Sequence, residues 1–143
     1  MRGAKSVKAK TALRVLMIAS EAHPFSKTGG LADVASALPK ALGRLGHEVT
    51  LVTPRYRGID VAAVSASVRL GMAGVEFEAG MIELPLGPGA RAVFVDCPPL
   101  YDRPGIYGEG GVDYPDNALR YAFLTAAALD WAAQQPQPFH IVH

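Results

Sequence analysis

The sequence predicts an α/β fold with a parallel sheet, and three consecutive segments near its start support that prediction. Residues 15–19 form a continuous apolar run, as expected of a strand covered on both faces. Between residues 31 and 45, apolar side chains recur at steps of three and four, which is the spacing of an amphipathic helix. A second strand at 49–53 completes a βαβ unit, whose crossover is almost always right-handed.

The predicted helix carries one ordinary end signal and one unusual residue. Its inner face is expected to comprise Leu31, Val34, Ala35, Leu38, Leu42 and Leu45. Gly46 follows as a natural C-terminal cap. Pro39 lies in the middle, where it removes one backbone hydrogen bond and should bend the axis.

The middle of the chain is less regular. Residues 75–86 alternate around Gly80, which is consistent with two short strands, and the prolines and glycines of 85–89 indicate a turn. The mostly apolar run at residues 92–96 indicates another buried strand. Residues 101–115 hold four glycines and two prolines, a composition typical of surface loops that carry function.

A long helix is predicted over residues 117–134, with Asp116 as its N-cap rather than as a sugar ligand. The spacing assigns four side chains to its inner face, namely Leu119, Phe123, Ala126 and Leu129. Trp131 is expected to pack in the core, and Cys97 to be a small buried apolar residue. One more apolar strand is predicted at 139–142.

Composition narrows the class of protein. The 143 residues, half of them hydrophobic and 19% charged, suit one folded domain. A net charge of +1 supplies no overall field that would recruit nucleic acid or an anionic membrane, and no apolar run reaches the length of a membrane span. Residues 1–12 are predicted to form a basic, flexible tail. With one cysteine, no internal disulfide can form, and a cytoplasmic location is expected.

Chemistry is concentrated in the loop between the first strand and the first helix. Lys27, Thr28, Gly29 and Gly30 would place an ammonium group, open backbone amides and a helix N-terminus together, an arrangement that suits a phosphate. The segment matches neither of the common glycine-rich nucleotide motifs, so a plain flexible turn is an equally good interpretation. Glu21 is expected either to orient Lys27 through an ion pair or to be a solvated acid.

Several segments of the chain are similar to those of one family. Residues 20–34 (SEAHPFSKTGGLADV) closely resemble the opening signature of bacterial glycogen synthases and plant starch synthases. Further similar segments occur in the family's order, namely ALPKAL at 37–42, GHEV at 46–49, YDRPG at 101–105, DNALRY at 116–121 and HIVH at 140–143. The resemblance covers about residues 13–143.

The resemblance implies a GT-B glycosyltransferase, in which two Rossmann-like domains face a cleft. Such an enzyme transfers glucose from ADP-glucose to the non-reducing end of an α-1,4-glucan, with retention and without a metal or other cofactor. Lys27 matches the lysine that binds the donor diphosphate, and Gly29 and Gly30 match the glycines beside it. Asp33 matches an aspartate near the reacting sugars, and Tyr107 lies where the family places a tyrosine on the acceptor side.

The resemblance also implies that the active site needs residues from two domains, of which these 143 residues are expected to supply only part of the first. Residues 13–143 are expected to be part of the N-terminal Rossmann-like domain, without the C-terminal nucleotide-binding domain. A helix N-terminus stabilises an anion by about 0.3–1 kcal/mol, whereas micromolar binding requires about 8 kcal/mol. The 143-residue chain alone is therefore expected to be inactive.

Two alternatives to an ADP-glucose-dependent synthase remain. One is a related glycosyltransferase with a different nucleotide-sugar donor. The other is a non-catalytic α/β module that binds a glucan or a partner protein, in which residues 27–30 are only a turn.

Overall fold

The computed structural model describes residues 11–143, which form a six-stranded mixed sheet with a long helix on each face. In chain order the elements are β1 (Arg14–Ile18), α1 (Gly30–Arg44), β2 (Glu48–Pro54), β3 (Ala66–Met72), β4 (Val75–Gly87), β5 (Ala90–Asp96), α2 (Pro98–Tyr101), β6 (Gly108–Glu109), β7 (Val112–Asp113), α3 (Asn117–Ala133) and β8 (Ile141–Val142).

The sheet has the strand order β3-β4-β5-β2-β1-β8. Strands β5, β2, β1 and β8 are parallel, and the antiparallel pair β3 and β4 extends the sheet beyond β5. The predicted βαβ unit is confirmed, because β1 pairs with β2 in parallel register from Arg14 opposite Glu48 to Ile18 opposite Val52. The small hairpin β6–β7 lies outside this sheet.

Alternating side chains divide the core into two layers. Leu16 and Val52 belong to the larger layer, which α3 covers. Val15, Met17 and Leu51 point to the opposite face and pack with Ala35 of α1. This alternation follows from the two-residue period of a strand, and both faces are apolar because each is covered by a helix.

The inner face of α1 differs from the prediction. Leu31, Val34 and Leu45 are 50%, 57% and 62% exposed, while the residues that are buried are mostly small, namely Ala32, Ala35, Ser36, Pro39 and Gly43. The reason is a close approach of backbones: a Cβ atom at Gly43 would lie 2.1 Å from the carbonyl oxygen of Pro88. Of the predicted inner face, Ala35 is buried, and Leu38 and Leu42 are partly buried against the same core. Apolar spacing therefore located the helix and only part of its contact face.

The end of α1 is as predicted. Gly46 has a φ of +92°, a conformation that glycine adopts without strain. Its N–H donates to the carbonyl of Gly43 at 3.0 Å, and the N–H of His47 donates to that of Leu42 at 3.1 Å. These two bonds form a Schellman motif. The helix continues through the buried Pro39 without interruption, and the bend expected there stays a prediction.

The middle of the chain corrects a second expectation. Residues 75–86 belong to one 13-residue strand, β4, rather than to two short ones. Gly80 continues the strand under the Val64 side chain, whose Cγ2 would lie 2.7 Å from a Cβ at this position. A two-residue turn, Ala73–Gly74, with φ values of +53° and +75°, connects β4 to the unpredicted strand β3.

Helix α3 has nearly the predicted bounds but a different rotation about its axis. Leu129 is 45% exposed; the buried residues are Arg120, Phe123, Leu124, Ala127, Ala128 and Trp131. Because α3 is apolar over much of its circumference, spacing alone did not determine which side faces the sheet. The predicted burial of Trp131 and Cys97 is confirmed.

Most of the predicted basic tail, residues 1–10 of 1–12, lies outside the described residues. Among the helices of the described part, none is both long enough and apolar enough to span a membrane.

We predict that Gly43→Ala lowers the free energy of unfolding by about 1–3 kcal/mol, as overpacking typically does. Alanine usually stabilises a helix relative to glycine, but here the added methyl group would collide with Pro88. The matched control is Gly30→Ala in the same helix, where a Cβ meets nothing within 4 Å. Urea unfolding of the three proteins measures the difference; equal stability of both variants would contradict the close approach.

Candidate functional site

The parallel strands bring three segments of chain to one edge of the sheet. Strands β1, β2 and β5 end at this edge, so the residues that follow them, beginning at 19, 55 and 97, lie side by side. In open α/β sheets this carboxyl edge is where ligands bind. The loop of Lys27 and the loop of Tyr107 both belong to these segments.

Lys27 is exposed and paired with the carboxylate of Asp33. Its Nζ atom lies 2.8 Å from both carboxylate oxygens of that residue. The side chains are 45% and 55% exposed, so solvent reaches both groups. The hydrogen bond from Lys27 lowers the pKa of Asp33. Two residues that the sequence assigned to the site are therefore brought together by direct contact.

The backbone at the start of α1 is open. Gly29 occupies the N-cap position, and no side chain among residues 11–143 caps the helix N-terminus. A Cβ atom built on Gly29 or Gly30 would meet nothing within 4 Å, and both residues are exposed. The first amides of α1 can therefore be approached from solvent, as a phosphate ligand would require.

Glu21 contradicts both of its expected roles. It is 2% exposed, so it is not a solvated acid. Its Oε2 atom accepts hydrogen bonds from the backbone N–H of Thr28 at 2.8 Å and from the Thr28 hydroxyl at 2.7 Å. Glu21 thus closes the loop onto its own base, and Lys27 has Asp33 as its partner. The sequence contains the acidic residue but does not indicate its partner, since an acid seven residues before Thr28 has many possible hydrogen-bond donors nearby.

Apolar and backbone contacts also fix the loop of Lys27. The ring of Phe25 packs edge-on against Phe94 of β5, with centroids 4.9 Å apart. The Ser26 hydroxyl accepts a hydrogen bond from the N–H of Ala22 at 3.1 Å. The N–H of His23 donates to the carbonyl of Ala32 in α1 at 3.1 Å. The base of the loop, at Glu21, Ala22 and Ser26, is thereby buried, whereas its tip at residues 27–30 is exposed to solvent.

Tyr107 reaches the base of this loop from the neighbouring segment. Its hydroxyl lies 2.6 Å from the Ser20 hydroxyl, and its carbonyl accepts a hydrogen bond from Asn117 Nδ2 at 2.7 Å. Burial, and to a lesser degree the Glu21 carboxylate, raises the pKa of Tyr107. Thr28 and Tyr107 line one open pocket of about 390 Å³. The structure therefore places the predicted acceptor-side tyrosine beside the predicted phosphate loop.

The other two tyrosines of the 101–115 loop make their hydrogen bonds to α3 and within the loop itself. Tyr101 is fully buried and donates a hydrogen bond to the carbonyl of Arg120, so it cannot stack on a glucan ring. The Tyr114 hydroxyl accepts a hydrogen bond from the N–H of Gly105 at 3.2 Å. Both hold the loop in shape.

Two further tyrosines at this edge had no signal in the sequence. Tyr56 follows β2, and its hydroxyl donates to the carbonyl of Ser20 at 2.6 Å. The hydroxyls of Tyr56 and Tyr121 lie 3.0 Å apart, and Tyr121 donates to the carbonyl of Ile106 at 3.0 Å. Burial raises the pKa of both phenols. Together they connect the end of β1 to the loop of Tyr107.

Glu21 and Arg120 are the only buried charged residues in residues 11–143. Each holds one of the two loops at the carboxyl edge, Glu21 the first and Arg120 the second. The sequence held a usable signal for Arg120, because it lies in phase with Phe123, Ala127 and Trp131 on α3.

Asp116 begins α3 but does not cap it with its side chain. No capping hydrogen bond forms, and the carboxylate instead accepts hydrogen bonds from both terminal nitrogens of Arg103, at 2.6 and 2.5 Å. This bidentate pair fixes the start of the 101–115 loop against the start of the helix. The predicted cap is therefore correct in position and wrong in mechanism.

A second pocket, of about 410 Å³, lies at the opposite edge of the sheet, where Arg14 and Arg91 approach Phe139. It is at the amino ends of the strands, away from the loops just described. Its two arginines already pair with Glu48 and Glu83. No group of three or more histidine, cysteine or acidic residues that could hold a metal occurs anywhere in the described range.

The chain is similar to known proteins over most of its length. Residues 14–143 match the model of the starch synthase catalytic domain. The chain is 48% identical over 118 residues to a glycogen synthase of Anaeromyxobacter dehalogenans, covering 82% of this chain and 25% of that protein. It is 40% identical over 138 residues to a glycogen synthase of Photobacterium profundum, covering 92% and 27%. The chain thus spans about a quarter of the length of the curated relatives it matches.

A solved structure shows the same fold. The catalytic domain of starch synthase IV from Arabidopsis thaliana, bound to ADP and acarbose, superposes with a TM-score of 0.73 at 28% identity. The match covers 93% of this chain and 28% of that one.

We predict that Asp116→Asn destabilises the protein at neutral pH by about 0.5–1 kcal/mol, as expected for a partly exposed but bidentate ion pair. The Arg103 guanidinium lowers the pKa of folded Asp116 below its ordinary 3.8. The unfolded chain therefore binds the proton more readily, so this stabilisation is present above the ordinary pKa and is lost as the pH falls through the folded-state value.

Urea unfolding at pH 7 and at pH 3 measures the effect. The difference between wild type and Asp116→Asn should shrink towards zero at pH 3. The matched control is Asp130→Asn, because the Asp130 carboxylate lies at the surface and, within residues 11–143, accepts a hydrogen bond only from Gln134. This variant should show a smaller change in stability at both pH values. A difference that is the same at pH 7 and pH 3 would show that the ion pair is not its source.

Proposed function

This chain belongs to the family of starch synthase catalytic domains, and on that premise we propose that it forms the N-terminal part of a glycogen synthase. The proposed reaction transfers glucose from ADP-glucose to the non-reducing end of an α-1,4-glucan, with retention of configuration. The observation that carries the proposal is the convergence of Lys27, the open start of α1 and the loop of Tyr107 at one edge of the sheet.

In this proposal the loop of Lys27 receives the diphosphate of the donor. When the bond between glucose and ADP breaks, negative charge develops on the departing diphosphate. An ammonium group and preorganised backbone amides stabilise such charge more in the transition state than in the ground state. Glu21 and Phe25 hold the loop before the ligand arrives, so little reorganisation is needed during the reaction.

Donor binding requires an exchange of partners at Lys27. In the structure its ammonium group contacts both carboxylate oxygens of Asp33. A diphosphate would replace the carboxylate as the partner of Lys27 and would leave Asp33 free to hydrogen-bond to sugar hydroxyls. The exposure of both side chains makes this exchange possible without moving the backbone.

The direct test uses the complete polypeptide that carries these residues. Incubation with radiolabelled ADP-glucose and glycogen should give labelled, α-1,4-linked glucan, and UDP- and GDP-glucose should be poorer donors. Glycogen binding without any transfer would instead support a non-catalytic glucan-binding module. Efficient transfer from UDP- or GDP-glucose would support a related glycosyltransferase.

We predict that Lys27→Ala in the complete enzyme lowers kcat/KM for ADP-glucose by about ten- to hundredfold, the range expected for losing one charge-assisted hydrogen bond. The matched control is Lys40→Ala, which removes a lysine from α1 ten residues beyond the start of that helix. Initial rates at varied donor concentration measure both. Unchanged kinetics for Lys27→Ala would remove this residue from the site.

We also predict that Asp33→Asn strengthens the binding of ADP by about two- to fivefold, while it lowers the rate of glucose transfer. The substitution removes the carboxylate that competes with the diphosphate for Lys27. ADP is the appropriate probe because it lacks the glucose to which Asp33 would bind. Isothermal titration calorimetry measures the affinity, with Asp130→Asn as the control; weaker binding of ADP would contradict the proposed exchange.

A further inference from the structure

Arg120 is a buried cation that forms no direct ion pair within residues 11–143. Its side chain is fully buried in α3. The Asp116 carboxylate pairs directly with Arg103, and the charge of Arg120 contributes only at longer range to lowering the pKa of Asp116. Its Nη2 atom has no hydrogen-bond partner in the described part of the chain. Burying a charge in this way is unfavourable unless other groups compensate for the lost water.

The compensating groups are backbone oxygens and aromatic rings of one region. Nε donates to the carbonyl of Leu100 at 2.6 Å, and Nη1 donates to the carbonyl of Ile106 at 2.8 Å. The rings of Tyr114 and Tyr121 lie 5.1 and 5.3 Å from the guanidinium carbon, within the range of cation–π attraction. Arg120 thus spans both ends of the segment that leads to Tyr107.

A third hydrogen bond connects Arg120 to Tyr107 through one intermediate. Nη1 donates to Oδ1 of Asn117 at 2.7 Å, and Nδ2 of the same amide donates to the carbonyl of Tyr107 at 2.7 Å. The Asn117 amide is therefore held in one orientation, with its oxygen towards the guanidinium and its nitrogen towards the loop. The side-chain hydrogen bonds of Arg120 thus reach α2 just before the loop of Tyr107, the loop itself, and the residue that binds the Tyr107 carbonyl.

Tyr107 also contacts the loop that carries Lys27 and the ring of Tyr121. Its hydroxyl lies 2.6 Å from the Ser20 hydroxyl, at the base of the loop that carries Lys27. Its ring packs against Tyr121, with centroids 5.6 Å apart, and Tyr121 shares the Ile106 carbonyl with Arg120. A shift of the guanidinium would be transmitted to the phenol by both routes.

We propose that Arg120 is a positioning residue for the glycosyl transfer, acting through Tyr107 rather than on the substrate. The proposal rests on the function proposed above and adds to it a residue outside the ligand loops. Arginine suits the role because its rigid, planar fork addresses acceptors in several directions at once. A lysine retains the charge but offers a single nitrogen, so it cannot hold Leu100, Ile106 and Asn117 together.

The kinetic test is a double-mutant cycle in the complete enzyme, with Arg120→Lys, Tyr107→Phe and the double variant. Arg120→Lys should lower kcat/KM for the glucan by about ten- to hundredfold, the cost of misplacing a substrate-positioning group by about 1 Å. KM for ADP-glucose should change less than twofold. In the Tyr107→Phe background the same substitution should have about a twofold effect or less, because coupled residues are not additive.

A second measurement does not depend on activity. With 13C-labelled tyrosine, the Cζ resonance of Tyr107 is assigned by its loss in Tyr107→Phe. Arg120→Lys should shift or broaden that resonance, whereas Arg91→Lys should not, since Arg91 donates to Thr50 and Glu83 at the opposite edge. If Arg120→Lys fails to fold, Asn117→Ala removes the connection to the Tyr107 carbonyl and replaces it in both measurements.

The outcomes separate the proposals. A moved resonance with strong kinetic coupling supports positioning by Arg120. An unmoved resonance, or rate losses that multiply in the double variant, overturns it and leaves Arg120 as a residue of the fold alone. If the unsubstituted enzyme transfers no glucose from any donor, the proposed function fails. The resonance then still decides whether Arg120 holds Tyr107 in place.

Discussion

The parallel pairing of β1 with β2, and of β2 with β5, is the constraint on which the site depends. It sends three chain reversals to one edge of the sheet, where residues from positions 20, 56 and 107 meet. An antiparallel arrangement of the same strands would place these reversals at opposite ends. The antiparallel pair β3 and β4 extends the sheet beyond β5 and leaves this convergence intact.

The charged residues at this edge divide into two kinds according to burial. Glu21 and Arg120 are buried, and each donates or accepts at least one hydrogen bond that holds a loop. Lys27 and Asp33 are exposed, and they bond to each other. Buried hydrogen bonds to charged groups have few competing partners and keep one geometry, whereas an exposed pair exchanges readily with water or with a ligand. The first kind sets the shape of the site, and the second is available for binding.

The sequence predicted the fold class and the βαβ unit because apolar runs and helical spacing report local structure directly. The sequence did not predict which faces of the two long helices contact the sheet, because tertiary packing determines those faces. The exposed faces of Leu31 and Leu129 show that an apolar side chain at the right spacing need not be an inner one. In α1, the close approach at Gly43 requires a small residue, and in α3 the side that faces the sheet also carries the buried polar contacts of Arg120. Neither cause is visible in a pattern of apolar residues.

For the candidate site, short-range placement was predictable and long-range partners were not. Lys27, Gly29 and Gly30 follow a strand and precede a helix, so their position at the edge follows from local order. The contact between Ser20 and Tyr107 joins residues 87 apart, and that between Arg120 and Leu100 joins residues 20 apart. Such contacts depend on how the loops fold back over the sheet. The sequence indicates a buried arginine with backbone acceptors in only one way, namely by a charged residue in phase with the apolar residues of a helix. That pattern is a stronger indication of a buried arginine when the helix begins directly after a loop rich in glycine and tyrosine. Irregular loops have unpaired carbonyls, and a buried guanidinium can donate hydrogen bonds to them.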